Sequence, residues 1–216
     1  MVKQLLSRRS VLVSAITLAS ASSVRAMRDE RVRDTEPTAI ATAVAIRTAL
    51  GDITIAVDVG RAPVSAGNFL EYVDRHLFDG AQFYRSVHAE NDANPVKISV
   101  VQGGIVDPAK GLAPIAHEST LRTGLRHVDG TISIARREPG TGSAGAFFIC
   151  IGDQPELDFG GRRNTDGQGF AVFGRVHEGM DIVRAIWRRQ TAGTDGSMGA
   201  QMIASPVVIE TVVRKG

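Results

Sequence analysis

The feature that constrains this chain most is a series of about eight short apolar runs, separated by turn signals and long loops. The first two runs, at 41–49 and 52–57, alternate apolar and polar residues about a Gly51-Asp52 turn, which predicts a β-hairpin. The later runs lie at 81–87, 96–101, 130–135, 146–151, 170–176 and 203–213. These strands do not alternate with helices, so the chain lacks the rhythm of a parallel sheet. The pattern predicts a mainly β fold, an antiparallel barrel that closes and leaves no strand edge exposed.

Two other segments, 64–76 and 180–187, carry apolar residues at helical spacing. The apolar positions are Ala66, Phe69, Leu70 and Val73 in the first segment and Ile182, Val183 and Ile186 in the second. Pro63 or Ser65 opens the first helix. The two amphipathic helices are expected to cover the open ends of the barrel. The segments at 88–95, 105–129, 136–143 and 152–169 are predicted to be loops or turns.

The composition is that of a soluble globular protein with one sizeable core, since 43% of the residues are hydrophobic and 22% are charged. The formal net charge is +2. Residues 1–26 hold four basic residues and no acid, so residues 27–216 carry a net charge of −2. A domain this close to neutral is not expected to bind nucleic acid.

Residues 1–26 have the order of a secretory signal peptide: a basic start, a short run of apolar and small residues, and a small-x-small end. The run is too short and too rich in Ala and Ser for a transmembrane span. The pair Arg8-Arg9 resembles the bacterial twin-arginine export signal. We expect a periplasmic or otherwise exported protein, cleaved after Ala26 or, as a second choice, after Ala21. The alternative is an uncleaved amphipathic helix.

The rest of the chain is predicted to be one domain preceded by a short flexible segment. Residues 27–40 are charged and have little apolar pattern, so they are expected to be a flexible lead-in to a domain at 41–216. Cys150 is the only cysteine, which excludes an intramolecular disulfide. Its apolar neighbours indicate a small buried hydrophobe.

No motif points to a metal ion or a cofactor. The glycine pattern at 140–145 fits a dinucleotide fingerprint, but a strand follows it where the fingerprint requires a helix. The five histidines show no short metal-ligand spacing. The sequence also lacks a Gly-x-Ser-x-Gly nucleophile motif. We therefore expect neither a metal site nor a cofactor.

Two polar side chains interrupt the apolar runs. Arg85 lies within the run 81–87, where an unpaired charge would be costly to bury. Gln102 closes the run 96–101. Their spacing fits either a site on the sheet surface or, equally simply, a solvent-facing arginine and a strand end.

A set of short motifs occurs in order along the chain. The motifs are Asn68-Phe69, Phe83-Tyr84-Arg85, Val101-Gln102-Gly103-Gly104, Gly130-Thr131-Ile132-Ser133-Ile134-Ala135, Phe147-Phe148-Ile149, Leu157-Asp158, Val172-Phe173-Gly174-Arg175-Val176 and Glu178-Gly179-Met180-Asp181-Ile182-Val183. In this order they resemble the cyclophilin family of peptidyl-prolyl isomerases, over roughly residues 42–214. The resemblance implies a closed eight-stranded antiparallel β-barrel capped by two α-helices, in agreement with the fold predicted from the apolar runs.

The resemblance also implies an enzyme, a peptidylprolyl isomerase that rotates X–Pro peptide bonds in protein substrates and assists their folding. Amide resonance gives this rotation a barrier of about 18–20 kcal/mol. An arginine can polarise the nitrogen lone pair of the twisted amide or anchor the prolyl carbonyl, without a nucleophile or a cofactor. By resemblance, Arg85 is the catalytic arginine and Gln102 hydrogen-bonds the substrate backbone.

The residues that receive substrate-binding roles from the resemblance are Val100, Ala135, Arg136, Phe148, Leu157 and Phe170. Val100, Phe148 and Leu157 would line the pocket for the proline ring. Ala135 and Arg136, the latter in place of a common Asn, lie where the family offers backbone contacts to the residue before proline. The phenylalanine at 170 replaces a frequent His or Tyr and can only pack.

Several positions depart from the family pattern. Ser99 stands where the family has a pocket Phe, so either one wall of the pocket is missing or another aromatic, with Phe83 as the candidate, takes that place. Ala146 replaces a common Gln, and Glu156 replaces the Trp of members most sensitive to cyclosporin. Residues 88–95 resemble an insertion beside the active face. We expect turnover to survive, cyclosporin to bind weakly, and any difference in peptide preference to lie in the insertion.

Two alternatives stay open. One is a catalytically weak cyclophilin-like module that binds proline peptides or acts as a chaperone, which the departures at Ser99 and Ala146 and the insertion at 88–95 motivate. The other is an up-and-down barrel that binds a small apolar ligand in an interior cavity. The expected partners are proline-containing polypeptides. A monomer without stable membrane insertion after signal cleavage is expected.

Overall fold

The computed structural model describes residues 41–193 and 197–216. Its eight described strands are β1 (Ala41–Thr48), β2 (Gly51–Asp58), β3 (Gln82–Val87), β4 (Val100–Gly104), β5 (Thr131–Ile134), β6 (Ala146–Cys150), β7 (Ala171–Glu178) and β8 (Met202–Arg214). They form a closed barrel in the order β1-β2-β7-β5-β6-β4-β3-β8, and each neighbouring pair is antiparallel. The predicted closed eight-stranded antiparallel barrel is confirmed. The predicted signal peptide (1–26) and lead-in (27–40) lie outside the described residues.

The helices described alongside the barrel are α1 (Pro63–Asp74), α2 (Thr120–Thr123) and α3 (Met180–Trp187). α1 and α3 are the two amphipathic helices that the sequence predicts. α1 begins at Pro63, where a missing N–H has no consequence because the first helical turn leaves that group unpaired. α2 is a single turn within the segment predicted as a loop, too short to give a periodic signal. No helix in the described part of the chain is long and apolar enough to cross a membrane.

The barrel interior is filled with aromatic side chains. The ring centroid of Phe69, on α1, lies 5.3 Å from that of Phe78, 6.1 Å from Phe147 and 4.9 Å from Phe173. Phe83 on β3 adds an edge-to-face contact with Phe147 at 5.9 Å, and all five rings are fully buried. The protein's own side chains therefore occupy the interior, the opposite of what the ligand-binding alternative requires.

Strand β4 begins at Val100, not at Val96 as predicted. The backbone ahead of it is bound by side chains, which replace the ladder partners of a strand. The Val96 N–H donates to Asn94 Oδ1 at 2.9 Å, and the Val96 carbonyl accepts from Arg163 Nη1 at 2.6 Å. An apolar run alone does not reveal such contacts, so the predicted strand start is wrong.

β4 also runs through Gly103 and Gly104, which the sequence predicts to stop it. Gln102 therefore lies within the strand, with ladder partners on both sides. Gly104 has a φ of +146°, and a Cβ at this position would overlap the Gly145 carbonyl oxygen. Glycine is required here because the neighbouring backbone approaches too closely for any side chain.

The long segment 105–129 is ordered by contacts with α1. The Leu112 N–H donates to the Tyr72 hydroxyl at 2.6 Å. The Ser65 N–H, in the first turn of α1, donates to the carboxylate of buried Glu118 at 2.7 Å. A carboxylate is favourable there because the N-terminal end of a helix carries a partial positive charge. These bonds hold the segment against the barrel without regular structure of its own.

Candidate active site

Arg85 and Gln102 lie opposite each other in the β3–β4 pair, and Arg85 Nη1 donates to Gln102 Oε1 at 2.7 Å. Regular alternation would put Arg85 on the same face as Phe83, which is buried in the barrel interior. The register shifts between these two residues, so Tyr84 is the extra residue of a β-bulge. The bulge turns the Arg85 side chain away from the interior and toward Gln102.

The Gln102 side-chain amide is held at both ends. Its Oε1 accepts from Arg85, and its Nε2 donates to the Tyr84 hydroxyl at 3.0 Å. Burial raises the pKa of Tyr84, so the phenol stays neutral. One Nε2 hydrogen of Gln102 is left over for a substrate carbonyl.

A third residue, Gln201, completes the arrangement around Arg85. Its Oε1 accepts from Arg85 Nε at 2.9 Å and from Nη2 at 2.5 Å. Sequence reasoning missed this residue, because it lies in a polar stretch far along the chain. β8 meets β3 only when the barrel closes, where Arg85 pairs with Met202. We call Tyr84, Arg85, Gln102 and Gln201 the arginine cluster.

The Arg85 guanidinium keeps donors free for a substrate. Arginine carries five N–H groups, and the described hydrogen bonds engage Nε and one hydrogen on each terminal nitrogen. Burial, followed by repulsion from Arg163, lowers the pKa of Arg85. Arginine nevertheless keeps its proton at physiological pH. The cluster therefore presents a fixed positive charge with one hydrogen left on each terminal nitrogen.

A second group of side chains lies beside the arginine cluster and apart from the barrel interior. This apolar cluster consists of Val87, Ile98, Val100, Phe148, Cys150 and Leu157. Half-buried Ala135 and Phe170 pack against it. Gln102 pairs directly with Phe148 across β4 and β6, so the two clusters share one face of the sheet.

The predicted pocket residues are brought together, but they are deeply buried. The exposed fractions of Val100, Phe148 and Leu157 are 3%, 5% and 1%. The free apolar surface is therefore supplied mainly by the half-buried Ala135 and Phe170, with Val100 and Leu157 beneath them.

The structure corrects the residue expected to replace the missing pocket Phe at Ser99. Phe83 belongs to the barrel interior and is fully buried there, so it forms no part of the pocket. Ile98 lies in the apolar cluster instead. The Ser99 carbonyl accepts from the Ile151 N–H at 2.9 Å, next to the β4–β6 pair. The apolar cluster therefore contains an aliphatic side chain at position 98 and no aromatic residue from position 83.

A buried histidine lies against the aromatic part of the apolar cluster. The His127 ring stacks on Phe148 at 5.8 Å and meets Phe170 edge-on at 6.4 Å. Its Nδ1 is 2.8 Å from Asp158 Oδ1, and its Nε2 is 3.1 Å from Ser133 Oγ. Burial lowers the pKa of His127, although Asp158 opposes the shift. Sequence reasoning missed this support, since lone His and Asp residues carry no spacing signal.

Ser133, His127 and Asp158 are hydrogen-bonded in the same order as a nucleophilic triad, but they cannot act as one. Ser133 is fully buried, and His127 is 1% exposed. No substrate atom reaches a hydroxyl enclosed in this way. Cys150 is equally enclosed, and burial raises the pKa of its thiol to about 12. None of these buried side chains can act as a nucleophile, and they contribute to the site only through packing and hydrogen bonds.

Comparison with known proteins places the chain in a family. Residues 43–213 match the family model described as cyclophilin type peptidyl-prolyl cis-trans isomerase/CLD. The chain belongs to the cyclophilin family. Among cyclophilin relatives, peptidyl-prolyl cis-trans isomerase A of Dickeya dadantii is 32% identical over 173 residues, which cover 79% of this chain and 83% of that protein. Peptidyl-prolyl cis-trans isomerase B of Escherichia coli is 31% identical over 166 residues, covering 75% and 93%.

A solved structure shares the cyclophilin fold. The cyclophilin type peptidyl-prolyl cis-trans isomerase of Cryptosporidium parvum superimposes with a TM-score of 0.63 at 18% identity, over 82% of this chain and 98% of that one. The predicted family, fold, isomerase function and enzyme class are therefore confirmed. The roles assigned to single residues stay predictions.

The predicted insertion, residues 88–95, has buried side chains and is joined by an ion pair to a loop beside the site. Asn91 and Asp92 are 3% and 4% exposed. Arg163 binds Asp92 through both terminal nitrogens, at 2.6 and 3.1 Å. This buried pair joins the segment 88–95 to the loop at 158–169. Whether the insertion sets peptide preference stays a prediction.

The Arg136 side chain binds the loop that leads to Phe170. It binds both Asp166 oxygens at 2.8 and 3.1 Å, bonds the Gly169 carbonyl, and lies 5.2 Å from the centre of the Phe170 ring. Only its backbone is left for the predicted contact with substrate. Phe170 packs edge-on against Phe148 at 5.2 Å, as expected of a residue that has no polar group there.

Glu156, at the position linked to cyclosporin sensitivity, carries a charge on the surface beside the site. It pairs with Arg162 at 2.6 Å. Hydrogen bonds from the Arg162 side chain and backbone lower the pKa of Glu156 to about 2. Weak cyclosporin binding stays a prediction, now supported by a carboxylate that is charged at neutral pH.

Within residues 41–193 and 197–216, no group of three His, Cys, Asp or Glu side chains could hold a metal ion.

Proposed function

We propose that Arg85 is the group that lowers the barrier to X–Pro rotation in this isomerase. The observation that carries the proposal is its placement: an oriented guanidinium with spare N–H groups lies beside an apolar cluster on the same face of the sheet. A twisted amide loses its resonance and gains electron density on nitrogen. A donor fixed at that position stabilises the twisted state more than the planar one.

The size of the effect follows from the type of bond. A hydrogen bond to a charged group contributes about 1.5–3 kcal/mol. Since about 1.36 kcal/mol corresponds to a factor of ten in rate, one such bond gives about 10- to 150-fold. The same arginine could act on the nitrogen lone pair or on the prolyl carbonyl, and either role requires the fixed charge. Gln102 would hold the substrate backbone while the other side of the bond rotates.

The apolar cluster is proposed to hold the proline ring. Half-buried Ala135 and Phe170 supply most of its accessible surface, and the pocket is shallow because Phe148, Val100 and Leu157 are almost completely covered. A shallow pocket binds a small ring weakly, so hydrogen bonds to the substrate backbone at Gln102 and Ala135 add to the affinity that the pocket provides. The proposed substrates are flexible, proline-containing polypeptides.

The test is a protease-coupled assay on a proline peptide with the purified protein and its Arg85→Ala variant. The wild type is expected to accelerate isomerisation, and the variant to lose about 10- to 150-fold of kcat/KM. Arg184→Ala is the matched control, because Arg184 is also half-buried and paired, with Asp129 at 2.6 Å, but lies outside the site. An Arg85→Ala variant as active as the Arg184→Ala control would remove Arg85 from the mechanism.

The shallow pocket also supports a second candidate, a binding module or chaperone with little turnover. In that case the wild type would bind a proline peptide in an NMR titration without accelerating its isomerisation. A rate above background, lost in Arg85→Ala, excludes this candidate.

Export to the periplasm is proposed from residues 1–26 alone. Changing Arg8 and Arg9 together to Lys is expected to keep the protein in the cytoplasm, whereas Arg25→Lys, a matched control, leaves export intact. N-terminal sequencing of the exported form would distinguish cleavage after Ala26 from cleavage after Ala21. Unchanged export of the double variant would exclude the twin-arginine route.

A monomer is proposed because a closed barrel has no free strand edge for pairing with a second copy. The net charge of −2 on residues 27–216 supports the absence of a nucleic-acid partner. Light scattering of the mature protein checks the first statement, and a retardation assay with DNA and RNA checks the second.

A further inference from the structure

Gln201 is the least exposed member of the arginine cluster, with 2% of its surface accessible. Its oxygen accepts two hydrogen bonds from Arg85, at 2.9 and 2.5 Å. Its Nε2 donates to the Asn91 carbonyl at 2.8 Å. A buried amide bonded at both ends has one orientation only. The Arg85 guanidinium is therefore held from behind by a group that cannot itself reach the substrate.

We propose that Gln201 is a positioning residue for isomerisation, and that it works because it is neutral. Two amide oxygens, one from Gln102 and one from Gln201, orient the Arg85 guanidinium without cancelling its charge. A carboxylate in the same position would hold the guanidinium equally well, but would compete with the substrate for its field. The inference rests on the proposed catalytic role of Arg85.

The charges around the cluster agree with this proposal. Burial lowers the pKa of Arg85, and the carboxylate of nearby Asp92 opposes this shift. However, Arg163 binds both oxygens of Asp92, at 2.6 and 3.1 Å. The acid is thus neutralised by a separate arginine, and the hydrogen-bond acceptors on Arg85 remain the two amides.

The proposal also gives a function to the inserted segment 88–95. Asn91 is 3% exposed; its Nδ2 donates to the Ser86 carbonyl at 3.0 Å and its Oδ1 accepts from the His88 N–H at 2.8 Å. The Asn91 carbonyl, fixed by these bonds, is the acceptor that orients Gln201. The insertion therefore supports the catalytic arginine through one intermediate residue, in addition to any contact with peptides.

The experiment compares Gln201→Glu and Gln201→Ala. Gln201→Glu keeps the shape and the acceptor atom but adds a charge, whereas Gln201→Ala removes the acceptor. Both variants are expected to lose at least tenfold in kcat with little change in KM, because the apolar cluster is untouched. The NMR signal of the Arg85 Nε–H separates their causes. It should stay protected from exchange in Gln201→Glu and become rapidly exchanging in Gln201→Ala.

Gln154→Glu is the matched control for a new charge on a bonded amide. The Gln154 Oε1 accepts from the Ser99 N–H at 3.1 Å, and its Nε2 donates to the Ile151 carbonyl at 2.8 Å. Like Gln201, it is hydrogen-bonded at both ends of its amide, but its partners are backbone groups and not Arg85. This variant is expected to keep kcat within twofold of the wild type, and thermal melting of all variants checks that they are folded.

Two results would overturn the proposal. Gln201→Glu with the kcat of the wild type would show that neutrality is not needed. Gln201→Ala with an unchanged kcat and an unchanged Arg85 signal would show that Gln201 does not position the arginine. Arg85→Ala is measured in the same series. If it keeps wild-type activity, the proposed function of Arg85 fails; if it is inactive while the Gln201 variants are active, only this inference fails.

Discussion

The arginine cluster and the apolar cluster lie side by side on one face of the sheet, but they are held by different forces. In the arginine cluster, long-range hydrogen bonds between side chains fix one charge: Gln102 lies in β4, and Gln201 directly precedes β8. In the apolar cluster, packing dominates, and one buried polar pair, His127–Asp158, supports the aromatic rings from beneath. Hydrogen bonds give direction and packing gives contact area. We therefore propose that the first cluster promotes rotation of the amide and that the second binds the proline ring.

The largest expected effect on stability comes from removing the aromatic centre of the apolar cluster. Phe148→Ala deletes a ring that is 5% exposed and contacts both His127 and Phe170. We expect a loss of about 3–5 kcal/mol in the free energy of unfolding, as for other buried Phe→Ala changes. Urea denaturation measures it. A loss below about 1 kcal/mol would mean that the cluster is not a packed unit.

The next effect tests the buried ion pair at the rim of the arginine cluster. Arg163→Gln leaves Asp92 buried without its partner, which is expected to cost about 3–5 kcal/mol. The adjacent Arg162 provides a matched control, since its pair with Glu156 is exposed. Arg162→Gln is expected to leave the urea midpoint unchanged. Equal effects of the two variants would show that burial of the Asp92 pair is not what joins the loops.

A smaller effect is the pH dependence of stability that His127, which packs against the apolar cluster, should cause. Burial lowers the pKa of His127 from the ordinary value of 6.5, while Asp158, which is also close to Arg126, opposes the shift. The unfolded chain then binds a proton below pH 6.5 that the folded protein excludes. Stability is therefore fully present above pH 6.5 and falls as the pH decreases below it, by at most about 1.4 kcal/mol per pH unit for one histidine.

Urea denaturation of His127→Gln between pH 7 and pH 5 checks this expectation, and the variant should show a shallower slope than the wild type. His88→Gln is the matched variant. Burial also lowers the pKa of His88, but its ring stacks on Trp187 at 4.2 Å and does not touch the apolar cluster. Each variant should reduce the slope, and only His127→Gln should raise KM. A wild-type slope in His127→Gln would contradict the buried neutral imidazole.

Much of the fold could be predicted because the barrel follows from local patterns. Alternation about Gly51-Asp52 and the helical spacing in α1 need only neighbouring residues. The start of β4 could not be predicted, since Asn94 and Arg163 capture the backbone at Val96. Such capture depends on a loop that lies far along the sequence.

The candidate site could be predicted to a similar extent. Motif order identified Arg85 and Gln102, and β3–β4 pairing brings them together. The bulge at Tyr84 was not predictable from an apolar run, because alternation alone places Arg85 inside. Gln201 was missed because only barrel closure brings it to Arg85, whereas His127 was missed because a lone histidine and a distant aspartate carry no spacing signal.

The most direct test of the account is a side-by-side measurement of kcat and KM for Arg85→Ala and Phe148→Leu on one proline peptide. Phe148→Leu is used here because it keeps more of the packing than Phe148→Ala. Arg85→Ala is expected to lower kcat by about 10- to 150-fold with KM nearly unchanged, whereas Phe148→Leu is expected mainly to raise KM. If both variants changed kcat and KM in the same way, the two clusters would not have the separate roles proposed for rotation and for binding.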